Sequence, residues 1–460
     1  MSLKLFNTMS RELEEFKPIN KEEVGLYTCG PTVYDFAHIG NLRTYIFEDV
    51  LKRALVFAGF KVKHVMNITD VGHLTNDSDF GEDKIEKSAR LESKKASDIA
   101  AFYTDAFKSD LRKLNISEPT VWCRASEHIA EQIALIKKLE EKGFTYGTSD
   151  GVYFDTSKVK DYGKLARLNL AGQEEGARVE INTEKKHPAD FALWKISPTD
   201  VKRQMEWKSP WGIGFPGWHI ECSAMSMKYL GETFDIHVGG VDHVPVHHTN
   251  EIAQSEAATG KPFARYWLHG EFLLVDEGKM AKSEGNFITL KTVEEKGFEP
   301  IVYRFYCLSS HYRSKLNFTW DTLANAKIGW DKFKNKFFSL GRQAGKVDPA
   351  LLERFQKKVN DDLNMPQAVA VAWDVFKSDL TDFDKRATLI KFDEVLGLGL
   401  ADLHEAEQAV PAEVVQLAKE RDEARAGKKW KKADELRQKI EELGWLVKDE
   451  SDASHLKRKE

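Results

Sequence analysis

Residues 24–68, VGLYTCGPTVYDFAHIGNLRTYIFEDVLKRALVFAGFKVKHVMNI, decide the fold. The apolar run at residues 24–27 is typical of a buried strand, and Gly30 and Pro31 end it. From Asn41 the apolar residues recur at every fourth position, which predicts a helix that Gly59 ends. Residues 62–68 predict a second strand. This β-α-β unit indicates a parallel sheet whose ligand crevice lies at the carboxyl ends of the strands.

Beyond this unit, the sequence predicts a second strand-and-loop segment, an insertion and a helical region. A strand at residues 272–275, followed by a loop at 276–285, is expected to continue the sheet. An insertion separates the two halves and contains a helix over residues 129–139 and short strands such as 152–154. After Trp320 the chain becomes helical, with one apolar stripe at residues 323–340 and another at 369–376.

We therefore predict an α/β fold with a Rossmann-like core, an inserted α+β segment, a helical bundle and a small C-terminal domain. The predicted bounds are residues 1–118 and 209–318 for the core and 119–208 for the insertion. The bundle is expected at residues 319–408 and the basic C-terminal domain at 409–460.

Composition limits the class of protein. The 460 residues are 42% hydrophobic and 31% charged, and no apolar run approaches the ~20 residues that span a bilayer. Four cysteines (Cys29, Cys123, Cys222, Cys307) lie far apart, which is typical of a reduced cytosol. The net charge of −5 excludes a uniformly basic coat but not a local basic surface. We expect a cytoplasmic, multidomain protein without a membrane span.

A glycine pattern at residues 212–217 matches the dinucleotide-binding fingerprint only in its spacing. Residues 207–211 are not a buried strand, and Pro216 falls inside the supposed phosphate turn. We interpret Gly212, Gly214 and Gly217 as shaping an irregular loop. The chain also has no G-x-x-x-x-G-K-[ST] sequence, which argues against a P-loop NTPase.

Two loops predict a nucleotide site. Residues 31–41, PTVYDFAHIGN, lie between the first strand and the first helix, where an open α/β sheet binds a nucleotide. Residues 279–283, KMAKS, follow the later strand and carry two lysines that can clamp a polyphosphate. Each loop alone is commonly just solvated, but the pair of strand-end loops is much more specific than either.

Four side chains are candidates for a metal site. His247 and Glu251 are four residues apart in a helical run and project from one face. Cys29 at a strand end and Cys222 would complete a set that zinc accepts. The alternatives stay open at this point, because such a His/Glu pair is more often a surface hydrogen bond and free cysteines usually fill the core.

The segment at residues 425–439, RAGKKWKKADELRQK, carries seven basic and two acidic side chains. It is either a solvated helix face or a surface that follows phosphates, with Trp430 for stacking.

Together these segments resemble the cysteinyl-tRNA synthetase family, which are class I aminoacyl-tRNA synthetases. The matching stretches run in family order over nearly the whole chain: residues 27–50, NITDVGHL (67–74), FALWK (191–195), PGWHIECSAMS (216–226), HHTNEIAQSEA (247–257), KMAKSEGNF (279–287), HYRSKLNF (311–318) and DDLNMPQAV (361–369). The motifs TCGPTVYD, GWHIECS and HHxNE are typical of the cysteine family rather than of class I in general.

The resemblance implies site residues at the matching positions. It implies one zinc ion per chain, bound by Cys29, Cys222, His247 and Glu251. It implies that ATP and Mg²⁺ bind at the two loops, with these catalytic residues: His38, Asn41, Lys279 and Lys282. We expect further contacts to ATP from Thr32, His38, Gly40, Asn41 and Lys282, and contacts to the amino acid from Cys29, Gly30, Thr32 and Trp218.

Two positions depart from the family signatures. Asn41 ends the HIGH signature and cannot be cationic, and Ala281 replaces the first serine of KMSKS. Both lysines remain, so we expect activity to survive.

The implied reaction joins L-cysteine to tRNA(Cys) through cysteinyl-adenylate, with ATP as the third substrate. The bundle would bind the tRNA stem, and the basic C-terminal segment the anticodon loop. We expect a monomer. The closest alternative is a cysteine ligase of the mycothiol pathway, which passes cysteine to an amino sugar and lacks the tRNA-binding C-terminal part.

Overall fold

The computed structural model describes residues 2–71, 83–167, 183–198, 203–276, 278–279, 287–343, 345–403, 412–449 and 454–458. The chain divides into two compact units, Met1–Leu400 and Ala401–Glu460. The second unit therefore begins eight residues before the position predicted for the C-terminal domain.

The elements of the first unit follow in chain order. Its strands are β1 (Lys4–Asn7), β2 (Glu12–Glu15), β3 (Val24–Thr28), β4 (Val62–Ile68), β5 (Val121–Arg124), β6 (Thr145–Thr148), β7 (Gly151–Phe154), β8 (Phe191–Ile196), β9 (Trp207–Ser209), β10 (Gly212–Pro216), β11 (Phe234–Gly240), β12 (Ala264–Gly270), β13 (Leu273–Val275), β14 (Gly278–Lys279) and β15 (Leu316–Phe318). Its helices are α1 (Ile39–Phe57), α2 (Lys84–Leu91), α3 (Ala96–Lys113), α4 (Ile129–Glu141), α5 (Trp218–Leu230), α6 (His247–Thr259), α7 (Leu290–Glu295), α8 (Pro300–Leu308), α9 (Trp320–Ser339), α10 (Pro349–Val359), α11 (Met365–Lys377) and α12 (Asp382–Leu396).

The central element is a parallel five-stranded sheet with the order β12-β11-β3-β4-β5. It confirms the parallel sheet predicted from the β3-α1-β4 unit. Helix α1 begins two residues earlier than predicted because His38, not a later residue, caps its N-terminus. Since the strands are parallel, the ends of β3, β4 and β11 meet at one edge, which is where a ligand binds in such sheets.

The sheet pairing places the ends of the insertion at other positions than the predicted residues 119 and 208. Strand β5 pairs with β4 and belongs to the core sheet. Strands β9 and β10 belong to a separate antiparallel sheet, β6-β7-β8-β10-β9, which forms the insertion. The strand predicted at 272–275 is β13, but it lies in a small sheet with β14 and β15. The second half of the core sheet comes instead from β11 and β12.

Apart from one loop, the rest of the predicted architecture is confirmed. The glycine pattern at 212–217 is not a phosphate turn, but the irregular loop predicted there is wrong: Gly212–Pro216 form strand β10, and Gly217 caps α5. Helices α9 to α12 follow Trp320 as expected. The second unit contains α13 (Ala412–Ala426), α14 (Trp430–Glu442), β16 (Trp445–Asp449) and β17 (Ser454–Arg458), with small apolar cores of its own. Among the described residues, no helix is both long and apolar enough to cross a membrane.

Arg304 joins four segments around the base of α1. Its side chain is fully buried, and its Nη2 lies 2.7 Å from Asp49 Oδ2 on α1. Its other nitrogens donate to the carbonyl oxygens of Leu396 and Leu114. Burial opposes ionisation of Asp49, but Arg304 and Arg53 hold the pKa of this carboxyl down at about 2. The ion pair therefore fixes α1, whose other end faces the ligand edge, to α8 and to the end of α12.

Replacing Arg304 by methionine should destabilise the first unit by about 3–5 kcal/mol, because Asp49 would be left as a buried, uncompensated charge. The measurement is thermal unfolding of the purified protein. Arg354→Ala is the matched control, since its ion pair with Asp374 has a similar distance of 2.7 Å but is exposed. The control should cost less than about 1 kcal/mol. Equal effects of the two substitutions would contradict this role of Arg304.

Candidate active site and metal centre

A cavity of about 870 Å³ lies at the carboxyl ends of β3, β4 and β11. It brings together residues that are more than 200 positions apart in the chain. The predicted site residues that line it are Cys29, Gly30, Thr32, His38, Asn41, Trp218, Cys222 and His247. The loop after β3 and the N-terminal parts of three helices, α1, α5 and α6, supply them, so the site depends on the tertiary fold and not on any one segment.

Close backbone packing explains Gly30. Its N–H donates to Asn67 Oδ1 at 2.8 Å, and a Cβ atom at this position would lie 1.7 Å from the carbonyl oxygen of Asn67. Any other residue would push the ends of β3 and β4 apart. The neighbouring Thr32 extends this contact through a parallel bridge to Thr69, which fixes the loop that follows β3.

His38 and Asn41 form a reciprocal cap at the N-terminus of α1. His38 Nδ1 accepts the N–H of Asn41 at 3.0 Å, and Asn41 Oδ1 accepts the N–H of His38 at 3.3 Å. Burial lowers the pKa of His38, which favours the neutral ring. Because Nδ1 is an acceptor, the ring proton lies on Nε2. His38 can therefore donate a hydrogen bond at a helix start that itself favours phosphate.

The four predicted metal ligands converge. One ligand atom each from Cys29, Cys222, His247 and Glu251 lies within 4.8 Å of the other three, and all four residues are buried. Helix α6 presents His247 and Glu251 on one face, with His247 Nε2 3.0 Å from Glu251 Oε1. Helix α5 supplies Cys222, and Cys29 follows β3. His247 and Glu251, which the sequence placed on one helix face, thus lie together with the two cysteines in a compact cluster of possible metal ligands.

A second set of donors shares two of these residues. Cys29 and Glu251 also lie within 4.8 Å of His237 and His248. His237 and His248 are fully buried, and neither lines the cavity. Cys29, Cys222 and His247 do line it. Since recognition of a substrate needs a coordination position that the substrate can reach, the first set is the better candidate.

The electrostatics of the cluster suit a cation. Burial would raise the pKa of Glu251, but His237 and His247 lower it to about 2. Burial would lower the pKa of His247, but Glu251 and Cys222 raise it to about 10. A hydrogen bond from Cys29 lowers the pKa of Cys222 to about 7 despite burial. Glu251 is therefore a carboxylate and the Cys222 thiol is partly ionised near neutral pH, whereas burial and Cys222 raise the pKa of the Cys29 thiol. Metal binding would release the protons of Cys29 and His247.

Glu251 also has ligand capacity to spare. Its Oε2 accepts from His237 Nε2 at 3.0 Å, whereas Oε1 lies 3.0 Å from His247 Nε2 and has no hydrogen bond of good geometry among the described residues. An oxygen buried without such a partner is costly. Two sulfurs, one imidazole nitrogen and one carboxylate oxygen are a donor set that zinc accepts, so the residues present fit this ion.

Trp218 lies beside the donors at the start of α5. Its ring centroid is 4.4 Å from that of His247, and it lines the cavity. The position agrees with a contact to a substrate bound at the cluster.

Part of the predicted site lies outside the described residues. These are Met280, Ala281, Lys282 and Ser283 of the KMAKS loop. Lys279 lies in β14, where only the backbone is described. The contribution of this loop to the site stays a prediction.

Two polar residues at the end of β11 are among the cavity residues that the sequence analysis missed. Asp242 and His243 follow the end of β11 and line the cavity. The available signal was the polar pair one residue after the glycines of residues 239–240, at a strand end. It went unnoticed because β11 was not predicted as a core strand.

Comparison with known families gives two matches. Residues 15–328 match the family model described as tRNA synthetases class I (C) catalytic domain. Residues 407–455 match the model described as Cysteinyl-tRNA ligase anticodon binding domain.

Similar curated proteins match the chain over nearly its whole length. The chain is 52% identical to "Cysteine--tRNA ligase 1" of Burkholderia lata, covering 99% of this chain and 97% of that protein. It is 44% identical to "Cysteine--tRNA ligase" of Treponema denticola, covering 98% of each.

Solved structures of low sequence identity share the fold. A Mycobacterium tuberculosis methionyl-tRNA synthetase in complex with methionyl-adenylate has a TM-score of 0.55 at 13% identity, covering 82% of this chain and 90% of that one. The ternary complex of Agrobacterium radiobacter K84 LeuRS with tRNA and LeuAMS has a TM-score of 0.60 at 12% identity, covering 83% and 84%. The predicted Rossmann-like core of class I synthetases is thereby confirmed.

Proposed function

We propose that this protein, which belongs to the cysteine–tRNA ligase family of class I aminoacyl-tRNA synthetases, selects L-cysteine through a zinc ion. The ion would be held by Cys29, Cys222, His247 and Glu251. The observation that carries this proposal is their convergence at the cavity that the family's ATP-binding signature also lines.

Selectivity follows from the chemistry of this donor set. Bound there, zinc would supply a soft Lewis-acid position that prefers a thiolate to a hydroxyl. Serine or alanine would leave that position without a sulfur partner. Discrimination that depends on one missing polar partner reaches ~10⁴–10⁵, which makes a separate editing site unnecessary.

In the adenylation step the protein mainly has to position the cysteine carboxylate and ATP. The cysteine carboxylate attacks the α-phosphorus of ATP, and pyrophosphate leaves. A hydroxyl of the 3′-terminal adenosine of tRNA then attacks the carbonyl carbon of the adenylate, and AMP leaves. No general base is needed in the first step, because the carboxylate is already ionised at neutral pH. His38 Nε2 would donate to the phosphates, and Lys279 and Lys282 would stabilise their developing charge, with Mg²⁺ as counterion.

The tRNA acceptor is favoured over the amino-sugar acceptor of the mycothiol ligases. The anticodon-binding match at residues 407–455 and the full-length relatives support tRNA. The monomeric state and cytoplasmic location stay predictions.

The test of the proposed function is charging of total tRNA with radiolabelled amino acids, with zinc measured in the same sample. We expect cysteine alone to be attached and about one zinc per chain. Attachment of cysteine by protein freed of zinc, with cysteine still preferred over serine, would contradict the proposal.

His237 should hold Glu251 in place for zinc. Its Nε2 donates to Glu251 Oε2, and its ring stacks on Trp267 with centroids 4.5 Å apart. We expect His237→Ala to weaken zinc binding by about 10–100-fold, the usual cost of removing a partner that orients a ligand. Competition with a chromophoric chelator measures this. His237→Gln, which keeps a donor, should recover part of the affinity; unchanged affinity in the alanine variant would contradict the role.

A further inference from the structure

An exposed group of aromatic rings borders the cavity where α2 and α3 reach it. Phe36 and Phe102 are 39% and 49% exposed, and their ring centroids are 6.0 Å apart. Tyr103 packs against both, with centroid distances of 5.1 Å. With Lys84 and Lys94 we name this group the aromatic rim. Large rings exposed together in this way are typical of a binding surface.

The rim is continuous with the candidate active site. Phe36, Lys84 and Tyr103 line the cavity, whereas Phe102 lies just beyond it. The rim thus leads from the outer surface to the cavity that contains Cys29 and His38. A ligand lying along it would have one end inside the cavity.

The charge around the rim favours an anionic ligand. Lys94 Nζ lies 5.3 Å from the centre of the Phe102 ring, and Lys84 Nζ lies 5.4 Å from that of Tyr34. Residues 84–95 carry five basic and two acidic side chains. One of the acids, Glu92, already pairs with Lys94 at 2.9 Å and accepts from the Tyr103 hydroxyl. Lysines beside exposed rings are the combination that binds single-stranded nucleic acid.

We propose that the aromatic rim binds the single-stranded 3′ end of the acceptor tRNA, with a base stacked on Phe102 and Phe36 and the backbone near Lys84 and Lys94. This inference rests on the proposed function, which makes tRNA the acceptor. Stacking is tolerant of sequence, so the rim would guide the strand into the cavity without selecting among tRNAs. A protein partner is less suited to a small basic surface that opens into the reaction cavity.

The test is a thermodynamic cycle in which the Phe102 ring and the 3′ end of the tRNA are removed separately and together. Dissociation constants are measured for intact tRNA(Cys) and for the same tRNA without its single-stranded 3′ end. Trimming should weaken binding to the wild-type enzyme by at least about tenfold, the scale of one stacked base. In Phe102→Ala the loss on trimming should be clearly smaller than in the wild type, because one stacking ring is already gone while the other contacts of the 3′ end remain. Phe102→Trp should behave like the wild type, which excludes misfolding as the cause.

Phe383→Ala is the matched control, since Phe383 is 47% exposed and lies on α12. It should lose as much affinity on trimming as the wild type, whatever its own effect on tRNA binding. If trimming lowered the affinity for tRNA equally in Phe102→Ala and the wild type, the proposal that the aromatic rim binds the 3′ end would be wrong. Cysteine-dependent pyrophosphate exchange by the wild type tests the proposed function separately. If exchange is absent, the proposed function is wrong. If exchange is present and trimming acts equally on both proteins, only the proposal for the aromatic rim is wrong.

Discussion

Cys222→Ser should nearly abolish both zinc binding and the preference for cysteine. The substitution removes one of the two sulfur donors, and a neutral hydroxyl is a poor ligand for zinc. We expect zinc affinity to fall at least about a hundredfold, more than the loss from a residue that only orients a ligand. The preference for cysteine over serine should fall from ~10⁴–10⁵ to the ~10–100-fold that a pocket can supply by shape. Pyrophosphate exchange with each amino acid, and zinc content, measure the two effects.

Cys123→Ser is the matched control for burying a hydroxyl in place of a thiol. Cys123 is fully buried on β5 and is not in either donor set. The control protein should keep its zinc and its preference for cysteine. A Cys222→Ser protein that retained both properties would refute the role given to the cluster.

Ending the chain after residue 410 should separate the two half-reactions. Residues 401–460 form their own compact unit with small apolar cores, so their loss leaves the packing within the first unit intact. Cysteine-dependent pyrophosphate exchange, which needs no tRNA, should be nearly unchanged. Charging of tRNA should fall by about a hundredfold or more, because several phosphate contacts are lost together.

The basic segment at residues 425–439, which includes most of α14, is the part of this unit that we expect to matter most. Ala433, Leu436 and Ile440 form the buried face of α14, while Trp430 is 60% exposed. This division agrees with the surface for phosphates and stacking that the sequence suggested. The loss of charging should appear as a raised KM for tRNA and be partly relieved by excess tRNA. Equal loss of exchange and charging would contradict this division of labour.

Local patterns were enough to predict the part of the sheet that is built from apolar strands. The β3-α1-β4 unit was predicted correctly because β3 is an apolar run, α1 has a regular stripe, and β4 keeps four large apolar residues among its polar ones. Strand β11 was missed because it carries Asp235 and His237, although every residue in it is buried. Asp235 accepts the N–H groups of Ile19 and Gly25, and His237 binds Glu251. These partners are distant in sequence, so the strand looks polar until the fold supplies them.

The metal cluster shows the same limit. Helical spacing placed His247 and Glu251 on one face, but nothing local connects them to Cys29 or Cys222. Those two were candidates only because zinc accepts thiolates; the resemblance implied all four as one site, and the fold brings them together. The aromatic rim was not predicted at all, because Phe36 lies on a loop and Phe102 on α3. The pairing of an exposed ring from each is a property of the tertiary structure alone.

The most direct test of zinc-based selection is X-ray absorption at the zinc edge, measured with and without L-cysteine. Without the amino acid, the account predicts two sulfur neighbours at about 2.3 Å, together with nitrogen and oxygen neighbours. Adding saturating L-cysteine should raise the sulfur count to three, while L-serine should leave it at two. A zinc environment that stays the same when cysteine is bound would contradict the claim that the metal recognises the thiol.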